Sequence, residues 1–247
     1  MIFDFLLRVV LRFVLFLVGS SEATGRENVP EKGPYIIVTN HMSKADPPLL
    51  FLALPPFKLR FFAGEKWEKH PLFGPVMKAM GVIYINRGEV DRKALREALE
   101  ALRGGSIFGL APEGTRSRGG QLLPGKDGAA YLATRAAVPL VPMAVTNTDK
   151  LGRNIKRLRR TKMDVHIGEP FLIPDLGHRA KGRELEAATH LIMVQIANLL
   201  PEAYHGYYAD SPALAALQRG EDPWPACLEA ASVTVEKKPE PLLKPAE

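Results

Sequence analysis

Cysteine is almost missing from this chain, and its scarcity excludes two kinds of site. The only cysteine among 247 residues is Cys227, which can form no intrachain disulfide, so the chain suits a reducing compartment. A single cysteine also gives none of the paired spacings that bind structural zinc. The sequence has no zinc-finger spacing and no aromatic block of the RNA-binding type, so nucleic acid is not an expected partner.

Acidic residues are fewer than basic ones, which gives a net charge of +6 and an isoelectric point near 9.4. Such a charge favours anionic partners: nucleic acid, acidic lipid headgroups or phosphorylated substrates. The densest basic run covers residues 153–162. Two interpretations stay open for it, a solvated loop or a segment attracted to an anionic membrane surface.

Two familiar catalytic motifs are also missing. Residues 120–126 have the Gly-x4-Gly-Lys spacing of a phosphate-binding loop, but Asp127 stands where Ser or Thr would hold magnesium, and no buried strand precedes the loop. The Gly-x-Ser-x-Gly elbow of serine hydrolases does not occur, and Ser43 lies only two residues from His41. A nucleotide hydrolase and a serine hydrolase are therefore both disfavoured.

Long apolar runs are confined to the start of the chain. Residues 1–18 are mostly apolar, and their three charges, Asp4, Arg8 and Arg12, fall four residues apart on one helical stripe. Eighteen helical residues reach about 27 Å, which is short of a hydrocarbon core of about 30 Å. We expect residues 1–20 to form an amphipathic helix in the membrane interface, with its charges facing the headgroups. A spanning helix and a signal peptide are the alternatives, and the charges disfavour both.

Beyond this helix, apolar strand-like runs alternate with segments of helical period. Alternating strands and helices predict a single α/β domain with a largely parallel or mixed sheet covered by helices. We place this domain at residues 24–205 and a C-terminal extension at 206–247. The tail from about residue 235 is Pro-, Lys- and Glu-rich and is expected to be disordered. The expected strands are 35–39, 59–63, 82–85, 106–110, 140–146 and 163–167, and the expected helices are 47–54, 73–80, 90–103, 127–136 and, last, 183–200.

A histidine and a carboxylate follow the first of these strands. His41 comes soon after residues 35–39, and Asp46 directly precedes the helix of residues 47–54. His41 therefore lies in a strand-to-helix loop, with Asp46 at the helix entrance, where aspartate is a preferred N-cap. If the loop folds back, the Asp46 carboxylate holds one imidazole nitrogen and leaves the other free to act as a base. The alternative is that Asp46 only caps the helix and His41 is an ordinary loop residue.

Two further strands end in loops that carry functional side chains. Residues 106–110 form a buried strand and lead into the segment Pro-Glu-Gly-Thr-Arg-Ser at residues 112–117. Residues 81–87 contain another strand, which ends at Arg87. Ligands bind outside the carboxyl ends of the strands of a parallel sheet, so both loops are candidate ligand loops.

Together these segments resemble the glycerolipid acyltransferase family over about residues 24–205. A lysine and a glycine of that family's acceptor site match Lys126 and Gly128. Four blocks of the family occur in order, which makes the resemblance specific. They are NH-x-S-x-x-D at Asn40, His41, Ser43 and Asp46, a glycine–apolar strand–arginine block at 81–87, PEGTRS at 112–117 and VP-x-x-P at 138–142.

The resemblance implies transfer of a fatty acyl group from a thioester, acyl-CoA or an acyl carrier protein, to the free sn-2 hydroxyl of 1-acylglycerol-3-phosphate. It makes His41 the general base and Asp46 the group that stabilises the imidazolium. It implies no cofactor and no metal. The net charge and the N-terminal helix predict a membrane surface with anionic lipid as partner, and a peripheral or monotopic position on the cytoplasmic face of the cell membrane. The expected substrate-binding residues are Arg87, Glu113, Gly114, Thr115, Arg116 and Lys126.

Among these residues, the cations are expected to hold the acceptor's phosphate. Glu113 is expected to orient Lys126 or an arginine, or to accept a hydrogen bond from a substrate hydroxyl.

The chain departs from the family's pattern at two positions. Where the family commonly has a lysine and, three residues later, a leucine, this chain has Gly64 and Trp67, with Lys66 and Lys69 nearby as substitutes. The identity of the acceptor therefore stays open, and glycerol-3-phosphate or another lysolipid is an alternative. A non-catalytic lipid-binding protein and a lipid hydrolase are the alternatives from other classes.

Overall fold

A computed structural model of the chain describes residues 2–55, 59–71, 73–85 and 91–236. Strands and helices alternate through most of this range, as the sequence pattern predicts. The strands are β1 Gly19–Thr24, β2 Ile36–Thr39, β3 Leu59–Gly64, β4 Ile83–Ile85, β5 Ile107–Leu110, β6 Leu140–Val145 and β7 Thr161–Ile167. The helices are α1 Ile2–Val18, α2 Asp46–Ala53, α3 Phe73–Ala79, α4 Arg92–Arg103, α5 Gly128–Ala136, α6 Leu151–Lys156, α7 Arg183–Asn198, α8 Pro212–Gln218 and α9 Trp224–Glu236.

Within the described residues, the seven strands form one sheet in the order β1-β7-β6-β2-β5-β3-β4. Neighbouring strands run parallel except β6 and β7, which are antiparallel. Helices α4, α5 and α7 pack on one face of the sheet, while α1 and α2 pack on the other. The predicted α/β domain with a mixed sheet covered by helices is confirmed.

Strand β2 lies in the middle of the sheet and positions the predicted site. Its side chains alternate between the two helical layers, with Val38 on the α4 and α5 side and Ile37 on the α2 side. A run that is apolar on both faces is typical of a strand buried between two layers. Val38 pairs in parallel with Leu110 of β5, so the loops that follow these strands leave the same edge side by side. Those loops carry His41 and residues 112–117.

Two of the three charges of the α1 stripe, Asp4 and Arg8, contact the protein, which corrects the prediction that they face lipid headgroups, whereas Arg12 is exposed. The Arg8 guanidinium is largely buried and pairs with Asp4, Nε to Oδ2, at 2.9 Å. It also caps the carboxyl end of α2, because the last carbonyls of a helix lack partners within the helix. These bonds run from Arg8 to the carbonyl oxygens of Phe51 at 2.9 Å, Leu54 at 2.8 Å and Pro55 at 3.1 Å.

The outward face of α1 is apolar instead. Eight large apolar side chains on this helix are between 46% and 66% exposed. No helix in the described part of the chain is both long and apolar enough to cross a membrane. The eight residues are Phe5, Leu6, Val9, Val10, Phe13, Val14, Phe16 and Leu17.

Arg8→Gln should lower the free energy of unfolding by about 2 kcal/mol, because charged hydrogen bonds to the α2 carbonyls are lost from a largely buried position. Arg12→Gln is the matched control, since Arg12 lies one turn later, is exposed and makes no hydrogen bond to a described residue. Urea unfolding of both variants measures the difference. Equal stability of the two variants would contradict the capping role of Arg8.

Four elements lie where the sequence pattern predicts none, namely β1, α6, α8 and α9. Strand β1 has the mostly polar sequence GSSEAT, which shows no apolar alternation, and it is a strand because it pairs in parallel with β7. The helix predicted at 183–200 is not the last one, since α8 and α9 follow and bury Leu214 and Cys227 in the core beside α7. The predicted domain boundary at residue 205 remains a prediction. The disorder predicted from about residue 235 falls, from residue 237 onward, outside the described residues.

Candidate active site

The loop between β2 and α2 folds back so that His41 and Asp46 are in contact. Nδ1 of His41 lies 2.8 Å from Oδ2 of Asp46. The same oxygen accepts hydrogen bonds from the backbone amides of Met42 at 2.6 Å and Ser43 at 2.8 Å. Because a carboxylate oxygen accepts hydrogen bonds, Nδ1 carries the proton and Nε2 carries the lone pair of the neutral ring.

Burial separates the roles of the two side chains. The Asp46 side chain is buried, whereas 19% of the His41 side chain is exposed. Nε2 of His41 makes no hydrogen bond to any residue in the described ranges. His41 can therefore meet a substrate while Asp46 cannot. This is the arrangement of a general base held by a positioning carboxylate.

Asp46 does not act as the N-cap that the sequence suggests. It is the first residue of α2, the N-cap position belongs to Ala45, and no side chain caps that end of the helix. The Asp46 carboxylate turns back to the amides of the preceding loop instead. The alternative in which Asp46 only caps a helix is therefore not what the structure shows.

Asn40 fixes the end of β2 against β6. Its side-chain amide donates to the Val145 carbonyl at 3.0 Å, and its side-chain oxygen accepts from the Val145 amide at 2.8 Å. Ser43 accepts a hydrogen bond from the Ala45 amide at 2.9 Å, so its hydroxyl shapes the loop. Both residues hold the backbone of the His41 loop.

Glu113 holds the backbone of His41 and forms no ion pair with Arg116 or Lys126, the two predicted cations that the structure describes. Its side chain is 1% exposed; Oε1 accepts from the His41 amide at 2.8 Å and Oε2 accepts from the Leu123 amide at 3.0 Å. Burial raises the pKa of Glu113, and the two amide donors act in the opposite direction. The predicted contact of Glu113 with Lys126 does not occur, and the predicted contact with a substrate hydroxyl remains a prediction.

The segment at residues 112–117 forms hydrogen bonds with both backbone groups of His41. Besides the Glu113 contact to the His41 amide, the Ser117 amide donates to the His41 carbonyl at 2.8 Å. Both backbone groups of His41 are therefore held by one loop. The position of the base thus depends on the loop after β5 as well as on its own.

Glu113→Gln should weaken these contacts with the His41 loop, because an amide has one accepting oxygen and its NH2 group would face a backbone N–H. We expect the free energy of unfolding to fall by about 1–3 kcal/mol. We also expect kcat to fall by about tenfold or more through misplacement of His41. Thermal unfolding and steady-state kinetics measure the two effects, with Glu27→Gln as an exposed control. Wild-type values for both quantities in the Glu113 variant would exclude this role.

Gly114, Thr115, Arg116 and Lys126 come together beside this loop. The Lys126 amide donates to the Pro112 carbonyl at 2.8 Å. Gly114 has a left-handed backbone with φ of 66°, and a Cβ atom there would lie 3.0 Å from Cδ of Lys126. The stem of Lys126 therefore crosses the turn at Gly114.

The exposure of these residues suits contact with a ligand. Thr115 and Lys126 are exposed and Arg116 is half-buried. Neither Arg116 nor Lys126 forms a side-chain ion pair within the described residues. Arg87, the third predicted cation, lies outside the described residues, two positions after the end of β4.

Two lysines lie near the ring of Trp67, beside the His41 loop. Lys44 lies with Nζ 5.6 Å from the centre of the Trp67 ring, and Lys66 lies at 5.8 Å. The sequence pattern gives no signal for Lys44, which is an exposed lysine three residues after the base. Gly64 ends β3, and Lys69, the other nearby lysine, is exposed.

Tyr208 is a second residue that the sequence pattern does not reveal. Its buried hydroxyl accepts a hydrogen bond from the Gly125 amide at 2.9 Å, next to Lys126. Tyr208 follows the predicted end of the domain at residue 205, so the segment after that residue helps to hold the site. A tyrosine in a segment without helical period gave no signal for this contact.

Cys227 is not a candidate nucleophile. Its thiol is fully buried in the core, and burial raises its pKa to about 12. A thiol is reactive as its thiolate, which this environment disfavours.

Comparison with known proteins covers most of the chain. Residues 20–146 match the model of the Acyltransferase family. The 1-acyl-sn-glycerol-3-phosphate acyltransferase of Borreliella burgdorferi is 32% identical over 147 residues, which are 58% of this chain and 58% of that protein. The enzyme of that name from Bacillus subtilis is 25% identical over 76% of this chain and 92% of its own length.

The fold is also found among solved structures. The crystal structure of the 1-acyl-sn-glycerophosphate acyltransferase PlsC from Thermotoga maritima superposes with a TM-score of 0.63. It is 26% identical and covers 79% of this chain and 78% of the other. The His41 loop and the segment at 112–117 both lie within residues 20–146, which are more than half of the chain. The protein therefore belongs to the acyltransferase family.

Proposed function

We propose that the protein transfers a fatty acyl group from a thioester to the free sn-2 hydroxyl of 1-acylglycerol-3-phosphate, giving phosphatidic acid. The observation that carries the proposal is the 2.8 Å contact between Nδ1 of His41 and the buried Asp46 carboxylate. This contact leaves Nε2 of a partly exposed ring as the base. The names of the similar proteins support 1-acylglycerol-3-phosphate as the acceptor.

The mechanism follows from the properties of the two reacting groups. An alcohol is a weak nucleophile at neutral pH, so Nε2 of His41 takes its proton as the oxygen attacks the thioester carbonyl. Asp46 stabilises the imidazolium that forms. The tetrahedral intermediate then collapses, the C–S bond breaks, and the thiolate leaves and takes the proton. The acyl group passes directly to the acceptor, without a covalent acyl-enzyme.

The acceptor's phosphate is held by Arg116 and Lys126, with Arg87 as a third cation predicted from the sequence. A guanidinium fork suits two phosphate oxygens, and a lysine supplies a point charge. The half-buried position of Arg116 and the placement of Lys126 over Gly114 support this role. Both side chains lie beside the loop that holds the His41 backbone.

Arg116→Ala should chiefly raise the KM of the acceptor, because the phosphate has the same charge in the ground state and the transition state. One charged hydrogen bond is worth about 1.5–3 kcal/mol, so we expect a rise of roughly ten- to a hundredfold. Arg116→Lys should recover part of it. Steady-state kinetics with an acceptor that lacks the phosphate is the control, and the variant should lose little further activity there. Equal losses with both acceptors would place Arg116 outside the phosphate site.

The experiment that tests the function is a product assay of purified protein with a panel of acceptors. Each acceptor is offered with acyl-CoA and with acyl carrier protein as donor. We expect 1-acylglycerol-3-phosphate to be used faster than glycerol-3-phosphate and lysophosphatidylcholine with at least one donor. A preference for glycerol-3-phosphate would favour that acceptor instead. It is an alternative because Gly64 stands where the family commonly has a lysine.

We also place the protein on the cytoplasmic face of the cell membrane, as a peripheral or monotopic protein that lies on anionic lipid. The exposed apolar face of α1 supports this placement, since surfaces of this kind mark membrane or protein contacts. The acceptor and the product are lipids of the bilayer. A site reached from the membrane surface would take up the acceptor and release the product without passage of either lipid through water.

A further inference from the structure

The turn between α6 and β7 presents a leucine to solvent. Leu158 is 97% exposed, the largest exposure among the large apolar side chains of the described residues. Its backbone is left-handed, with φ of 52°, a conformation that residues with a side chain rarely adopt. Strain of this kind persists where the surroundings enforce it, and it concentrates at functional positions.

This turn is held in one shape by its own hydrogen bonds. The Leu158 amide donates to the Ile155 carbonyl at 3.0 Å, and the Arg157 and Arg159 amides donate to the Asn154 carbonyl at 3.0 and 2.9 Å. The Asn154 side chain also donates to Oγ1 of Thr161 at 3.0 Å. The exposed leucine therefore stands on a fixed turn at the end of α6.

Basic residues both precede and follow Leu158 in the sequence. Between Asp149 and Asp164 the chain has no acidic residue. Four exposed cations of this segment form no ion pair within the described residues, so their charge is available to an anionic partner. They are Arg153, Lys156, Arg157 and Arg159.

The turn is fastened to the carboxyl end of α1. The Arg160 guanidinium donates to the Phe16 carbonyl at 2.8 Å and to the Gly19 carbonyl at 2.6 Å. It also lies 5.2 Å from the centre of the Phe16 ring. Leu158 stands two residues before this contact, so the turn adjoins the exposed apolar face of α1.

We propose that residues 153–159, the Leu158 turn, form a second membrane-docking element. Leu158 inserts among the headgroups of an anionic leaflet, and the four cations bind lipid phosphates. With α1 as the first element, two fixed points determine the orientation of the protein on the bilayer. The proposal rests on the proposed function only for the placement of α1 at the membrane.

A lipid surface fits this turn better than an acidic protein. Cations alone are sufficient to attract an acidic carrier protein, whereas a fully exposed leucine gains free energy when it leaves water. The turn is also continuous with an exposed apolar helix face, which an acidic protein does not match. Docking of an acyl carrier protein is therefore the alternative that the test must exclude.

The test is co-sedimentation of the purified full chain with phosphatidylcholine vesicles that contain or lack phosphatidylglycerol. Leu158→Gly should weaken binding to the anionic vesicles by about tenfold, in line with the loss of a leucine side chain from an apolar contact. Its thermal stability should be equal to or higher than that of the wild type, because glycine tolerates the left-handed backbone. Leu172→Gly is the matched control, since Leu172 is 64% exposed and lies outside the basic run of residues 153–162.

The double variant Arg157→Gln/Arg159→Gln should weaken binding to anionic vesicles by roughly ten- to thirtyfold and should change binding to neutral vesicles little. Acyl transfer to a detergent-dispersed acceptor is measured in parallel, and the Leu158 and arginine variants should match the wild type. If the wild type fails to transfer acyl groups to the detergent-dispersed acceptor, the proposed function is contradicted. The docking proposal is still decided by vesicle binding. Equal vesicle binding by the wild type and the Leu158 variant would overturn the docking proposal. So would a loss confined to reactions with acyl carrier protein.

Discussion

His41→Ala should lower turnover by about 10²- to 10⁴-fold or more, the largest effect expected from any single substitution in this chain. Among the described residues, the His41 ring is the one side chain that bonds to the Asp46 carboxylate, and its second nitrogen is free to meet a substrate. Its removal leaves the acceptor hydroxyl without a base as it attacks the thioester. Steady-state kinetics with saturating donor and acceptor measures the loss, and thermal unfolding shows whether the fold is kept.

His178→Ala is the matched control for that experiment. His178 also contacts a carboxylate, Nε2 to Oε1 of Glu184 at 3.3 Å, but its side chain is exposed and lies outside the matched family segment. Its replacement should leave kcat within about twofold of the wild type, since surface pairs contribute little. A His41 variant that keeps more than a tenth of wild-type turnover would exclude His41 as the base.

Asp46→Asn should cost nearly as much, although it alters no atom that substrate can touch. Oδ2 of Asp46 accepts from the His41 ring and from the amides of Met42 and Ser43. An amide oxygen placed there still accepts these bonds, so the loop is kept, but the charge that stabilises the imidazolium is lost. We expect kcat to fall by about 10²–10⁴-fold, as for triads in which the carboxylate becomes an amide.

Comparison with Asp46→Ala separates chemistry from folding. Alanine leaves two loop amides without their acceptor, so this variant should lose about 1–3 kcal/mol of unfolding free energy in addition to activity. Asparagine should lose less, because its oxygen keeps the contacts of Oδ2. Similar stability of the two variants, or wild-type kcat in Asp46→Asn, would contradict the role given to this carboxylate.

Much of the fold and part of the site were accessible from the sequence. The apolar runs of β2 and β5 are continuous and flanked by breaking residues, so their position and the loops that follow them could be predicted. The contact between His41 and Asp46 could be predicted as well, because a short loop joins them and their chemistry is complementary. The predicted roles of Thr115, Arg116 and Lys126 are consistent with their exposure and remain to be tested.

The contacts that the sequence does not reveal are those between backbone and side chains of distant segments. Glu113 binds the His41 amide because β2 and β5 are neighbours in the sheet. The order of strands in a sheet cannot be predicted from the sequence of either strand alone. Arg8 turns inward because the α2 carbonyls lie beside it, whereas its own helix shows only a charged stripe. Tyr208 reaches Gly125 through the packing of residues far apart in the chain. Local periodicity contains no information on such pairs.

The central claim is direct acyl transfer to a hydroxyl by a histidine base, and it is tested by following thiol release and phosphatidic acid formation in the same reaction. Purified wild-type protein is given an acyl thioester, with and without 1-acylglycerol-3-phosphate. We predict that thiol appears only when the acceptor is present, in a one-to-one ratio with phosphatidic acid and without an initial burst. Release of thiol and free fatty acid in the absence of acceptor, or a burst that leaves an acylated protein, would contradict the account.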